Sequence, residues 1–398
     1  MAGAALRGAG EGVTAMAAPR NAEAIIVGGG LAGAALGLQL ARRGRTVEIL
    51  EQSAAMHHKV CGEFLSREAV IYLEQLGLDL HALGAVAIHG VRLHARATIT
   101  ACELPFAALS LTRRTLDEAL LARAVRAGVV VLRGRRVESL DRDANGWRAR
   151  LTGGEAHSAS AAFLATGKHD LAGHRRPPGR QNNLVAFKMY FRLSQAQQRA
   201  LQGWVELFLF PGGYAGLQMV EEGESNLCLL VQRSTLDRCH KDWPTLLAHM
   251  AGFSAPLAER LSAAQPLLSK PLALSSIPYG MLRAEAQDGL WRLGDQAAVI
   301  PSFSGDGMSI ALHSAHLAAE IYLRGGTAAE YAQRLHAQLK GSVRLATMLS
   351  RLMVAAPVLA QVVRVWPGVL RQFAAHTRVP QWALLAEPLP LHQKGEAT

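Results

Sequence analysis

The sequence predicts an α/β protein: a parallel-sheet domain, discontinuous along the chain, carries an inserted antiparallel β-sheet and is followed by a helical C-terminal segment. Three observations predict it. A strand, glycine loop, helix and strand follow one another in "AEAIIVGGGLAGAALGLQLARRGRTVEILE". Alternating strand-like runs with turn residues between them fill 185–232. A second glycine-rich loop, "GDQAAVIPSFSGDGMSIAL", returns after that block. A β-α-β unit builds a parallel sheet, whereas short runs joined by "PGG" and "EEGES" build an antiparallel one.

The bulk composition agrees. At 398 residues, with 50% hydrophobic and 18% charged residues, the chain is globular and large enough for two or three structural units. The 38 glycines suit an α/β protein with many tight turns. Cys61, Cys102, Cys228 and Cys239 are scattered, with no C-x-x-C pair, so neither a zinc site nor a disulfide framework is expected, and the reading is a reduced, cytoplasmic protein. The net charge of +11 is spread as arginines along helices; no basic block interleaves with aromatic residues, so nucleic acid is not an expected partner. No apolar run of the length that spans a bilayer is free of charge or proline.

In chain order, residues 1–21 lack the apolar core of a signal peptide and read as a flexible leader, with Met16 an alternative start. Ala24–Val27 is the first strand, Ala32–Arg43 a helix ended by Gly44, and Thr46–Leu50 the second strand. "LTRRTLDEALLARAVRAGVVVLRG" reads as helix then strand, and "GWRARL" with "SASAAFLATG" as a hairpin and a buried strand. "VAFKMYFRL" alternates Lys188, Tyr190 and Arg192 with Phe187, Met189 and Phe191; one set is expected to face solvent or a partner and the other the core or a pocket. Helical patterning returns from Leu236 to about Leu267 and again after Gly325, interrupted at Pro357 and Pro367. The expected division is 22–88, 108–180 and 275–326 for the nucleotide domain, 89–107 and 181–274 for the inserted domain, and 327–398 for the helical region.

Gly28, Gly30 and Gly33 form G-x-G-x-x-G between strand and helix. The first permits a tight turn, the second lets a pyrophosphate approach the backbone, and the third lets helix and strand pack closely. The helix start at Leu31, Ala32 and Gly33 offers free N–H groups to phosphates, and Glu51 closes the second strand as an acceptor for ribose hydroxyls. The second loop supplies what a flavin needs beyond its nucleotide: Gly294 and Asp295 for the ribityl hydroxyls, Gly305 and Gly307 for close backbone approach, and a helix beginning near Met308 with its positive end toward the ring.

With these motifs in order, the sequence resembles the FAD-dependent superfamily that includes para-hydroxybenzoate-hydroxylase-type monooxygenases, flavin halogenases and geranylgeranyl reductases. The resemblance covers about residues 22–325. It implies a Rossmann-type FAD-binding domain, and it implies that Arg113 in "RRTLDEALL" reaches the FAD. "KVCGEFLS" resembles the Cys-Gly segment of the prenyl reductases and also a Gly-Glu segment of halogenase-like relatives. Thr166 and Gly167 stand where many hydroxylases carry an Asp-Gly pair, a departure from the usual NADPH docking pattern, and no W-x-W-x-I-P halogenase motif is present.

The leading functional expectation is an NAD(P)H-dependent monooxygenase acting on an aromatic, polyketide-like or lipid-like molecule. The alternatives are a flavin reductase saturating double bonds of a prenyl or lipid chain, with Cys61 as proton donor, and a flavin-binding protein without its own turnover. Phe208, Phe210, Tyr214, Leu217 and Met219 are expected to form an apolar wall or ordinary sheet core. His313 and His316 are expected to be satisfied helix residues, and His57 and His58 join no metal-ligand cluster. In an apolar segment Arg344 and Arg351 are seven residues apart and Arg364 and Arg371 repeat that spacing, which suits peripheral contact with an anionic membrane; a helix packed over the pocket is the alternative.

Overall fold

The computed structural model describes residues 22–95, 98–354 and 376–384. β1 (Ala22–Val27) leads through Gly28–Gly30 into α1 (Leu31–Ala41), and β2 (Val47–Glu51) follows. Every residue of β2 and nearly all of β1 are buried, as a strand covered on both faces requires. The chain then makes a short β3 (Phe64–Leu65), α2 (Arg67–Gln75) and the long strands β4 (Val86–Ala95) and β5 (Thr98–Ser110). Thr112, whose hydroxyl accepts from the Thr115 N–H, caps α3 (Arg113–Arg126). β6 (Val130–Arg133), β7 (Val137–Asp143), β8 (Gly146–Leu151) and β9 (Ala156–Leu164) complete the first half of the nucleotide domain.

The inserted part contributes β10 (Leu184–Arg192), α4 (Gln195–Leu201), β11 (Trp204–Phe210), β12 (Gly213–Met219), β13 (Ser225–Gln232), then α5 (Arg233–Arg238), α6 (Trp243–Phe253), α7 (Ala255–Leu261), β14 (Gln265–Pro266) and β15 (Leu272–Ser275). β16 (Trp291–Arg292) brings the chain back to β9, and α8 (Gly307–Leu323) and α9 (Ala328–Val354) follow.

Among the described residues the first sheet has the order β6-β2-β1-β9-β8-β7, with β16 beside β9. β6, β2, β1, β9 and β16 pair in parallel, and β8 and β7 continue antiparallel. One face packs on α1, α3 and α8 through residues such as Leu36, Leu120 and Leu317; the other packs Ile25, Val27 and Leu50 against Leu140 and Trp147. The second sheet has the order β14-β10-β13-β12-β11-β4-β5-β3, with β15 also on β10. Its β4–β5 hairpin runs past the 89–107 interval, from Val86 to Ser110, because Val86–Ile88 pairs with Ala108–Ser110 and β3 pairs with Leu109 and Ser110 in turn.

The outer face of this sheet sets Met189, Phe208 and Leu229 against Leu246, Met250 and Leu257 of α6 and α7. The period of two then points the alternate residues of β10 at the nucleotide domain. The expected division of that strand into a solvent set and a core set is therefore corrected: Met189 and Phe191 lie under the helices, Lys188 and Tyr190 are fully buried on the opposite face, and only Arg192 is exposed.

Candidate flavin site and substrate cavity

A cavity of about 1370 Å³ lies between the two sheets. It opens at the carboxyl ends of β1, β2, β9 and β16, where Gly28, Glu51, Ala165 and Gly294 line it; ligands of open α/β sheets bind at such ends. Gly28 has φ +105°, and a Cβ there would stand 2.5 Å from the Ala165 carbonyl oxygen. Gly30 caps α1 in an extended conformation with no side chain satisfying the first turn, so the N–H groups beginning at Leu31 and Ala32 are left for a ligand in the cavity. At Gly33 a Cβ would fall 1.9 Å from the Gly28 carbonyl oxygen, so only glycine lets the helix pack this closely.

The Glu51 carboxylate is buried at the end of β2, accepting from the Gly29 N–H (2.7 Å) and the Ser53 N–H (2.8 Å). It both ties down the glycine loop and keeps acceptor capacity for a ribose. Arg113 opens α3 and pairs with Asp117 at 2.8 Å; its Nη2 lies 3.7 Å from where a Gly30 Cβ would be. Burial opposes the guanidinium charge, but the Asp117 carboxylate and then the Cys61 side chain more than offset it, so Arg113 stays firmly protonated. Lys59, which sequence reasoning passed over, joins the same group: its Nζ is 2.8 Å from Asp117 and 3.4 Å from the Gly30 Cβ position. The only signal for it was its place two residues before Cys61.

The second glycine loop reaches the same cavity. Gly294 (φ +53°) starts a single 3₁₀ turn, and its N–H donates to Ser314 Oγ of α8 at 2.9 Å. That bond ties the loop to the helix, and Asp295 lines the cavity. Gly305 has φ +74°, and a Cβ there would stand 2.4 Å from the Phe64 ring. Gly307 and Met308 begin α8, whose first turn no side chain caps. These are the features a ribityl chain and a flavin ring demand: strained backbone that only glycine tolerates, a carboxylate for hydroxyls, and a helix N-terminus facing inward. The residues present fit FAD.

Between the loops lies the segment from His57 to Phe64. Cys61 is half-buried in the cavity wall. Its sulfur accepts from the Glu63 N–H at 3.4 Å and meets the Arg113 guanidinium. Glu63 is fully buried and pairs with Lys188 Nζ at 2.6 Å; burial raises its carboxyl, and Lys188 is the chief opposing influence. His58 approaches the Tyr190 hydroxyl at 3.2 Å; burial, then the charge of Lys188, lowers it to about 4. The inserted sheet supplies an apolar wall of Val91, Leu93, Leu104, Val205, Leu207 and Leu230. Of the aromatic and apolar residues expected there, Tyr214 lines the cavity, whereas Phe208, Phe210, Leu217 and Met219 belong to the core under the outer helices.

His313 and His316 lie on α8 as satisfied residues, bonded to Tyr72 and Gln338 and to Gln39. Among the described residues no cluster of His, Cys, Asp or Glu has the arrangement of a metal site, and no helix is long and apolar enough to cross a membrane. Arg344 and Arg351 are exposed on α9; Arg364 and Arg371, the other half of the expected membrane face, lie outside the described residues.

Residues 21–167 match the family described as FAD binding domain. Over 326 residues, 77% of each chain, the sequence is 26% identical to menaquinone reductase of Mycolicibacterium smegmatis. It is 34% identical to rat squalene monooxygenase over 86 residues, 21% of this chain and 15% of that one. The fold superposes on the flavin-dependent brominase Bmp2 with a TM-score of 0.74 at 16% identity, covering 92% of this chain and 96% of that one.

Proposed function

We propose a reaction for this chain, an FAD-dependent oxidoreductase of the para-hydroxybenzoate-hydroxylase-like fold: reduction of a carbon–carbon double bond in a lipid-like, isoprenoid substrate, with a prenylated quinone such as menaquinone as the first to try. The observation that carries this reading is Cys61, a thiol in the cavity wall beside the half-buried Arg113 and opposite an apolar surface. The likeness to menaquinone reductase along most of both chains supports it.

Saturating such a bond requires a hydride equivalent at one carbon and a proton at the other. Bound FAD, once reduced by NAD(P)H or another donor, supplies the hydride. The chain's own residues do the rest. The free N–H groups of α1, with Arg113 and Lys59 close by, bind the anionic end of the cofactor. The wall from Val91 to Leu230 holds an apolar chain and excludes water. Cys61 gives its proton to the second carbon. The Arg113 guanidinium and the Glu63 N–H then remain as donors to the sulfur.

A second reading, oxygen insertion into an apolar substrate, draws on the stretch similar to squalene monooxygenase and on the same apolar wall. One experiment separates the two. The flavoprotein is reduced and mixed with menaquinone with and without oxygen, and the quinone is re-oxidised and weighed by mass spectrometry. Two hydrogens retained without oxygen support the reductase; an oxygen atom gained only in air supports the monooxygenase; an unchanged quinone after re-oxidation overturns chain reduction. We also propose that α9, with Arg344 and Arg351 on its exposed face, meets an anionic lipid surface that delivers such a substrate.

A further inference from the structure

Glu63 is a non-glycine residue at φ +61°, fully buried, in a segment that passes the cavity. A β-carbon resists that conformation, and such residues persist only where the surroundings over-determine them. The surroundings here do so. The carboxylate accepts from Lys188 Nζ (2.6 Å), from the Tyr190 hydroxyl (2.7 and 2.9 Å to its two oxygens) and from the Arg113 N–H (2.7 Å). Its carbonyl accepts from Ser110 Oγ (3.3 Å) and the Leu111 N–H (3.3 Å). Its own N–H points back at Cys61 Sγ. The Asn226 side chain donates to the carbonyls of Cys61 (3.1 Å) and Gly62 (3.0 Å) from β13.

These bonds come from three directions: β10 and β13 of the inserted sheet, the end of β5, and the first turn of α3. Of those elements, β13 and β5 also line the cavity, and α3 carries Arg113. The Glu63 N–H donates to the sulfur two residues earlier at 3.4 Å, so the bonds that anchor Glu63 hold that donor beside the thiol. Lys188 contributes more than neutralisation, since its Nζ also donates to the Lys59 carbonyl at 3.2 Å and so holds the start of the same segment.

We infer that Glu63, locked by Lys188, Tyr190 and the Arg113 N–H, is a positioning residue that fixes the Cys61 thiol against the substrate. The inference rests on the proposed reduction for its consequence in turnover, but its geometric content is independent of the reaction. A residue of this kind differs from a merely stabilising one in what it moves. Losing it is expected to displace the sulfur while the flavin site stays occupied, because Glu63 does not touch the glycine loops or Glu51 and meets Arg113 only at its backbone N–H.

The test uses the FAD-loaded full chain, with iodoacetamide as the probe and peptide mass spectrometry to read alkylation at Cys61 itself. Glu63→Gln is expected to change the Cys61 alkylation rate about tenfold or more while FAD absorbance is retained. Turnover of menaquinone is expected to fall toward the about 10²-fold loss that misplacement by an ångström causes, in kcat rather than KM. Because Glu63→Gln strands a buried ammonium, a change that destabilises the fold, the double variant Glu63→Ala/Lys188→Met removes both charges. It is expected to fold, bind FAD and keep the altered Cys61 reactivity. Wild-type alkylation in either folded variant overturns the inference: in the double variant it would mean that the carboxylate serves only to neutralise Lys188. If Cys61→Ala leaves turnover unchanged, the reduction reading fails, and the alkylation rates still judge the positioning role.

Discussion

Gly33 and Gly28 stand so close that a methyl group on Gly33 would lie 1.9 Å from the Gly28 carbonyl oxygen. The oxygen belongs to backbone at the end of β1 and has nowhere to retreat. Gly33→Ala is therefore expected to force α1 away from the sheet and destabilise the protein by about 1–3 kcal/mol, the usual range for overpacking. A thermal melt checks this, and an unchanged midpoint would refute the close packing.

The protein should purify yellow, with FAD rather than FMN. Glu51→Ala removes the acceptor that holds the Gly29 N–H. It is expected to weaken FAD binding by about 1–3 kcal/mol, the usual consequence of leaving a buried donor unpaired. Asp295→Ala should act similarly at the ribityl end. Titration of the apoprotein with FAD measures both; if either variant binds as the wild type does, that residue has been assigned the wrong role.

Cys61→Ala is expected to slow substrate reduction by about 10²–10⁴-fold, the span associated with losing a general acid, with FAD still bound. The assay must follow the substrate, since NAD(P)H oxidation can run uncoupled. Turnover close to wild type would return preference to oxygen insertion, in which the thiol has no proton to give.

Asp306 precedes α8 and is wholly buried; burial, and then the nearby Glu68, raise its carboxyl to about 8 against the opposing charge of Arg378. A folded-state value above the unfolded one means that the acid contributes stability in its neutral form. That contribution is complete below the ordinary carboxylate range and is lost as pH rises toward about 8. Asp306→Asn, which cannot ionise, should therefore gain stability relative to wild type across that window, by at most about 1.4 kcal/mol per pH unit, and then level off. Denaturant melts of both proteins from acid to mildly alkaline pH read the difference; parallel curves would show that Asp306 does not titrate there.

The glycine loops and the fold class could be read directly from the sequence because both depend on local chemistry. Gly28, Gly30 and Gly33 must precede a helix, Glu51 must end the next strand, and the "GDQAAVIPSFSGDG" loop must carry positive φ at Gly294 and Gly305; each requirement sits within a few adjacent residues. Alternation likewise marked the strands of the inserted sheet. Alternation cannot say which face is which, however. Lys188 reads in sequence as one of a charged, exposed-looking set, yet its ammonium is buried against Glu63, 125 residues earlier in the chain. The desolvation of that ion pair is tolerable only because Tyr190, the Arg113 N–H and the Lys59 carbonyl complete its bonds. None of those partners is near Lys188 in sequence except Tyr190. The cofactor loops were thus determined by the sequence itself. The setting of Cys61 beside Arg113, under a strained Glu63, was decided only when tertiary packing brought two sheets and a helix terminus to one point.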